Sequence, residues 1–316
     1  MVDGAVRRRI LVIHNPVAGA RRPGRLERVL DATRAAGVQV ELRLTSAPGD
    51  AERFAAQADP ACHDAVVAAG GDGTINEVIN GLMNREGTRI PLGLLPLGTA
   101  NVLAVELGLP SAPEALAQVL AHGPVRRIHL GRANGRAFAC MAGVGMDARV
   151  VAGVRPYMKR LAGKAAYVAV ALAEIMAGSR VAFAVETEGP DGQTARHEAA
   201  SCIIAKGRFY GGRFLMAPGA DLGSPGFQVC LFRHGGRFAT FAYAAGLVLG
   251  CLPRIAGFEQ VPATRVRVMP LSGTGTDSPV QGDGDIIAHL PLLCDITPFS
   301  LPVLAPSAPG AEMLAA

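Results

Sequence analysis

The sequence predicts an α/β domain followed by a mainly-β domain, and three observations predict it. The chain has 316 residues, half of them hydrophobic, which is enough for two separate cores. Through residue 128, apolar runs of strand length alternate with helix-length segments, as parallel βαβ units require. From about His129 the alternation stops, and short strand-like runs separated by Gly, Pro and Asp turns take over. The boundary falls near Val125–His129, so the domains are read as 1–128 and 129–295.

In the first domain, the continuous apolar run inside Arg9–His14 reads as a buried strand. A helix over about Gly24–Ala36 follows, then a strand at Val38–Leu44 and a helix at Asp50–Ala58. Ala65–Ala69 is a second buried strand, followed by a helix at Thr74–Asn84. Ile90–Leu95 is a strand, with helices near Asn101–Leu107 and Pro113–Ala121. In the second domain, strands are expected at Ala137–Met141, Val181–Glu188, Ser201–Ala205, Gln228–Phe232 and Arg265–Met269. Thr264–Val268 alternates polar and apolar, as a half-buried strand does. Helices near Tyr157–Met176 and Arg237–Leu249 interrupt strands whose pattern reads as a sandwich. Phe238–Leu252 is apolar and uncharged, and reads as a core helix rather than a surface contact. Pro302–Ala316 is rich in Ala and Pro, and is either a frayed tail or a short return to the first domain.

Composition excludes several functions. There is no Trp and only 5% aromatic residues, so stacking platforms for nucleic acid are not expected. The net charge of +5 is uneven. Residues 1–128 hold 14 Arg against 13 acidic residues, whereas 129–295 hold 17 basic against 12 acidic. The second-half surplus is either compositional drift or a sign of an anionic partner such as a lipid surface. The three lysines are Lys159, Lys164 and Lys206, so phosphate chemistry in the first domain must work without lysine. No two of the six cysteines have CxxC or zinc spacing, and most lie in apolar runs, which suits a reducing cytosol. After Arg7-Arg8-Arg9 only Ile10–Ile13 are apolar, too short for a signal peptide. The longest uncharged stretch, Phe238–Pro253, falls short of the roughly 20 residues of a membrane span. Nothing in the sequence speaks to oligomeric state.

The densest chemical signal is Gly70-Gly71-Asp72-Gly73-Thr74-Ile75-Asn76, entered by an apolar strand and left by a helical pattern. Its glycines allow a tight turn and close approach to a ligand. The helix N-terminus behind them offers free amides and a positive dipole end, which suits phosphate. Thr74 either caps that helix or bonds a phosphate oxygen. Asp72 cannot attract phosphate by charge and fits a magnesium ligand or an orienting acid. There is no Walker A loop, and no lysine stands where protein kinases need one. Two further polar loops follow strands, Asn15-Pro16-Val17-Ala18-Gly19 and Pro96-Leu97-Gly98-Thr99-Ala100-Asn101. With Thr45 after the second strand, these loops gather at the carboxyl edge of a parallel sheet, where α/β folds bind ligands.

These loops resemble the diacylglycerol kinase/sphingosine kinase catalytic-domain family, in its bacterial soluble branch. The resemblance continues in order through Gly143-Val144-Gly145-Met146-Asp147-Ala148, Tyr210–Pro218 and Gln281-Gly282-Asp283-Gly284-Asp285. It covers about residues 8–295; the Gly-Gly-Asp-Gly-Thr element alone is shared with NAD kinases. It implies an NAD kinase-like three-layer α/β domain with a C-terminal β-sandwich domain, and a kinase using ATP and Mg²⁺ on a lipid hydroxyl. By position, Asn15, Thr45, Gly70, Gly71, Asp72, Gly73, Thr74, Ile75, Asn76 and Thr99 would contact the nucleotide. Asp283 would be the general base, and Asp285 would assist through metal or hydrogen bonding where the family has Glu. A structural magnesium loop is implied at Asp221, Ser224 and Gly226, with Ser224 standing where the family has Asp.

Two other readings stay open. One is a kinase of a soluble substrate, akin to NAD kinases, and the other is a non-catalytic nucleotide- or lipid-binding regulator. Gly143-x-Gly145-x-x-Ala148 also matches a relaxed dinucleotide fingerprint, but no acidic residue follows about 20 positions on. Asp147 faces either a lipid headgroup cleft or a turn. The segment Ala148–Ala173 carries Arg149, Arg155, Lys159, Arg160 and Lys164 with no acidic residue, and reads either as a solvated basic face or as a contact with an anionic membrane. The expected location is cytoplasmic, either free or peripheral at the inner membrane face.

Overall fold

A computed structural model describes residues 7–18, 24–85, 89–153, 182–271 and 278–307. The expected helix at 157–176, most of the basic segment and the chain beyond 307 lie outside them. The chain divides into two compact units, Met1–Ile128 with Phe299–Ala316, and His129–Pro298.

The first unit runs β1 (Arg9–His14), α1 (Arg25–Ala35), β2 (Gln39–Leu44), α2 (Asp50–Ala56), β3 (Ala65–Gly70), α3 (Asp72–Met83), β4 (Leu92–Pro96), α4 (Val102–Glu106), α5 (Pro113–His122) and β5 (Val125–Ile128). A last strand, β20 (Leu301–Leu304), comes from beyond the second unit. The sheet order is β2-β1-β3-β4-β20-β5, with the first four strands parallel. β20 runs parallel to β4 and antiparallel to β5. Pro302, Val303 and Leu304, at the start of the Ala- and Pro-rich stretch, thus lie in the first unit's sheet.

Buried parallel strands need apolar residues on both faces, and β1 and β3 supply them without a break. Ile10, Val12, Val67 and Leu95 pack against Val29 and Leu30 of α1 and Leu116 and Leu120 of α5. α2 and α3 pack on each other and against β1 and β3. Each fully buried Ile or Leu contributes about 1.5–3 kcal/mol, so this apolar core holds the unit together.

The second unit is a sandwich of two antiparallel six-stranded sheets. One has the order β10-β9-β16-β19-β6-β7 and the other β15-β14-β11-β8-β17-β18. In chain order these strands are β6 (Gly131–Ala133), β7 (Arg136–Phe138), β8 (Met141–Val144), β9 (Phe183–Glu188), β10 (Thr194–Ala199), β11 (Ser201–Ala205), β14 (Phe227–Phe232), β15 (Phe258–Ala263), β16 (Arg265–Pro270), β17 (Pro279–Gly282), β18 (Asp285–His289) and β19 (Leu292–Ile296). A short hairpin, β12 (Phe209–Tyr210) with β13 (Phe214–Leu215), stands apart. The core between the sheets joins Val185, Val266, Val268 and Leu292 of one to Val144, Ile204, Val229 and Val280 of the other. The single strand expected at Ala137–Met141 is two, β7 and β8, because the chain turns at Ala139–Cys140.

Two helices belong to this unit among the described residues: α6 (Met146–Gly153) and α7 (Arg237–Val248). The reading of Phe238–Leu252 as a core helix is corrected here. Only Tyr243 and Gly246 of α7 are buried, while Phe238 is 80% and Phe241 62% exposed, and Val248 and Leu249 are exposed with them. Apolar residues all round a helix conceal which side meets the core, so composition alone misassigned it.

Candidate active site

In the first unit, strand pairing brings the carboxyl-end loops together. The Asn15 N–H donates to the carbonyl of Ala69, and that of Thr45 to the carbonyl of His14. Leu97 and Gly98 donate to the carbonyl of Gly70. Side chains extend these links. Asn15 Nδ2 donates to Thr74 Oγ1 at 3.4 Å. Asn101 holds its own loop, accepting from the Gly98 N–H and donating back to the Gly98 carbonyl.

Asp72 opens α3, and its carboxylate reaches across to α4. Oδ2 accepts from the Asn101 N–H at 2.9 Å and Oδ1 from the Val102 N–H at 2.8 Å. These amides begin a short helix and lack partners within it, so Asp72 caps α4 from another loop. An orienting role on the protein's own backbone is thus visible in the geometry.

The glycines matter where the loops touch. A Cβ at Gly98 would lie 2.5 Å from Gly71 Cα, and one at Gly70 would lie 2.5 Å from Thr74 Oγ1. The two loops therefore approach backbone to backbone. What they present is main-chain amides and neutral hydroxyl and amide groups, with Asp72 the one carboxylate of segments 70–76 and 96–101. This donor set fits a phosphate chain carrying a cation. Thr99 is exposed in the same loop. Ile75 and Asn76, by contrast, are buried in α3, and Asn76 Oδ1 accepts from Asn80 Nδ2.

In the second unit, Asp283 occupies the turn between β17 and β18 with φ of 50°. Its Oδ1 accepts from the Cys140 and Met141 amides, at 2.8 and 3.2 Å, and its Oδ2 from that of Ala139 at 2.7 Å. The carboxylate is held by the β7–β8 connection, and a left-handed Asp is tolerable because its short side chain bonds locally. Asp285, two residues on, is exposed at the start of β18.

Next to Asp283, Gln281 is buried and ties the turn to α6. Its Oε1 accepts from the Gly284 N–H, and its Nε2 donates to Asp147 Oδ2 at 2.6 Å. Asp147 is itself buried and also accepts from the Tyr210 hydroxyl. Its carboxylate is thus engaged by two side chains of the same unit. Burial pushes the Asp147 carboxyl above its ordinary 3.8, with the Tyr210 and Gln281 bonds acting the other way. The native state thus keeps this proton to higher pH than the unfolded chain does. Stability is expected to fall as pH climbs from about 4 through the raised native value. Asp147→Asn is expected to remove that slope, as read by urea unfolding between about pH 4 and pH 8. Parallel pH profiles for variant and wild type would count against it.

The loop expected to hold a structural metal looks different. The carbonyls of Asp221, Ser224 and Gly226 accept from Lys206 Nζ at 3.0, 2.5 and 3.1 Å. Asp221 Oδ1 turns back to the Gly223 N–H. A metal ion and this ammonium would need the same oxygens, so the three residues do not fit a metal as they stand. Among the described residues no group of three or more His, Cys, Asp or Glu side chains gathers for metal binding. Burial pulls the Lys206 pKa down to about 8, and the charge of Asp221 acts in the opposite direction.

Lys206, Tyr210 and the cap from Asp72 to α4 were not foreseen as contacts. The available signal for Lys206 was an isolated lysine ending the apolar run Ser201–Ala205 in a chain that otherwise uses arginine.

Comparison with known proteins places both units. Residues 9–133 match the family described as diacylglycerol kinase catalytic domain. Residues 140–305 match the family described as YegS C-terminal NAD kinase beta sandwich-like domain. The chain is 31% identical over 244 residues to the diacylglycerol kinase of Bacillus subtilis (strain 168), covering 77% of this chain and 79% of that protein. It is 37% identical over 191 residues to a protein of Pseudomonas fluorescens named "Probable lipid kinase YegS-like", covering 60% of this chain and 62% of the relative. That match therefore spans less than two thirds of the pseudomonad protein. A diacylglycerol kinase structure from Bacillus anthracis str. Sterne superposes with a TM-score of 0.70 at 19% identity, over 96% of this chain and 99% of that one. At such identity the likeness is one of fold.

Proposed function

The chain belongs to the diacylglycerol kinase catalytic-domain family of lipid kinases, and from that premise we propose that it transfers the γ-phosphoryl group of ATP to a hydroxyl of a membrane lipid. The observation that carries the reading is the lysine-free bracket of Asn15, Gly70–Thr74 and Gly98–Asn101 at the carboxyl edge of a parallel sheet. Main-chain amides of this bracket bind the phosphates, and Asn15, Thr45, Thr74 and Thr99 orient them. Asp72 keeps the two loops in register and, with its oxygens already accepting from the Asn101 and Val102 amides, would hold a metal riding on the nucleotide from that fixed position. When bound, Mg²⁺ neutralises charge on the triphosphate and on the phosphoryl group in transfer. Asp283 accepts the proton of the attacking hydroxyl. An ordinary carboxylate suffices for that, because the hydroxyl becomes acidic only as its bond to phosphorus forms. Asp285 assists from the same turn.

The test is a phosphorylation assay with ATP, Mg²⁺ and a panel of diacylglycerol, monoacylglycerol, sphingoid base and ceramide in mixed micelles. Label in at least one lipid is expected. Label in none of them, with ATP bound, would favour a regulator, and transfer to NAD alone would favour a soluble-substrate kinase.

A lipid acceptor requires contact with a lipid surface, and the exposed Phe238 and Phe241 of α7 support one. The Arg237 guanidinium lies 5.2 Å from the Phe238 ring, so charge and aromatic surface stand together at the start of the helix. Phe238→Glu with Phe241→Glu is expected to weaken cosedimentation with phosphatidylglycerol vesicles several-fold. The melting temperature is expected to stay within about 2 °C, because surface substitutions cost little. Undiminished vesicle binding would remove α7 from the membrane contact.

A further inference from the structure

Lys206 has a setting that the proposed reaction does not use. Its side chain is 0% exposed, at the end of a strand buried in the second unit. An ammonium has three N–H donors and no acceptor. Here the three are matched by the three carbonyls of Asp221, Ser224 and Gly226. The backbone of Lys206 is fixed as well. Its N–H donates to the Cys140 carbonyl at 2.8 Å, and the next amide, Gly207, donates to the same oxygen at 2.9 Å.

Convergent main-chain carbonyls are hard oxygen donors of the kind that hold divalent cations. In this chain they converge on a cation that is covalently part of the protein. A buried charge is tolerated when its hydrogen bonds are complete, and charge-assisted bonds to carbonyls are stronger than neutral ones. Asp221 adds its negative charge nearby while its Oδ1 closes the turn on Gly223. At Ser224 the side chain offers a hydroxyl and not a carboxylate. A divalent ion placed among these oxygens would meet the like charge of the Lys206 ammonium.

We propose that the Lys206 ammonium is the permanent cation of the 221–226 loop, so that this loop folds without a divalent metal. The inference is independent of the kinase reading, and its test uses nucleotide-free protein and reads melting rather than turnover. Wild type is melted in EDTA, in millimolar MgCl₂ and in millimolar CaCl₂. Lys206→Met, which keeps the length and removes the charge, is melted beside it. Wild-type melting temperature is expected to be the same in EDTA and in both salts. Lys206→Met is expected to melt about 5–10 °C lower and to gain nothing from either salt. A wild type that loses stability in EDTA and regains it with either metal would overturn the proposal. So would a Lys206→Met protein that melts with wild type. Should the variant not fold, the wild-type comparison decides alone.

Discussion

Asp283→Asn is expected to slow phosphoryl transfer by about 10²–10⁴-fold, the usual contribution of a general base. ATP affinity is expected to change little, because the proposed nucleotide contacts all lie in segments 15–18, 45 and 70–101. The position itself accepts the change, since Asn tolerates the left-handed φ of 50° found there. The hydrogen bonding does not. The wild-type carboxylate accepts amides from Ala139, Cys140 and Met141, whereas an Asn side chain turns an NH₂ toward at least one of them. An unmatched donor of this kind costs about 1–3 kcal/mol. The variant should therefore melt earlier as well as turn over slowly, and both must be measured. ADP release with a lipid acceptor, ATP binding and melting, run together, separate the two effects. A folded Asp283→Asn enzyme working within tenfold of wild type would reduce Asp283 to an anchor of its turn.

Gly98→Ala is expected to be the most damaging single methyl in the first unit's loops. The added Cβ would sit 2.5 Å from Gly71 Cα and 2.8 Å from Asn101 Oδ1, and backbone at such a distance has to move. Overpacking of this kind typically costs about 1–3 kcal/mol. Segments 70–73 and 96–101 would separate, and the bonds from Asn101 and Val102 to Asp72 would lengthen. ATP affinity in an equilibrium titration is expected to fall at least tenfold, with a lower melting temperature. Gly71→Ala provides the contrast. Its Cβ would stop 3.4 Å from Gly98 Cα, and φ of −92° suits any residue, so its melting temperature should stay near wild type. Equal destabilisation by both substitutions would show that the loops do not meet in this way.

Legibility in the sequence followed burial. β1 and β3 were readable because parallel strands covered on both faces are continuous apolar runs. The loops after them were readable because glycines and small polar groups cluster where a backbone must approach a ligand. β10, with the sequence Thr-Ala-Arg-His-Glu-Ala, was not readable: it is the edge strand of its sheet and is largely exposed. β5 hid for a similar reason, since it is an edge strand of the first unit's sheet and its two central arginines are exposed. α7 was misassigned because residue types do not say which side of an apolar helix meets the rest of the fold. The motif around Asp283 was visible, but its partners were not. They are main-chain amides some 140 residues away in sequence, which no local pattern encodes. The destination of Lys206 Nζ was hidden in the same way, since its three acceptors are carbonyls that any residue types would supply.

β20 has a consequence for how the polypeptide is made. Leu301, Val303 and Leu304 are fully buried between β4 and β5, yet they leave the ribosome only after residues 129–298. The first unit must therefore wait, with a gap in its sheet, while the whole of the second is synthesised. Vectorial maturation, in which the leading portion is finished first, is closed to this architecture. A nascent chain stalled before Leu301 would expose two unpaired strand borders, which are templates for self-association.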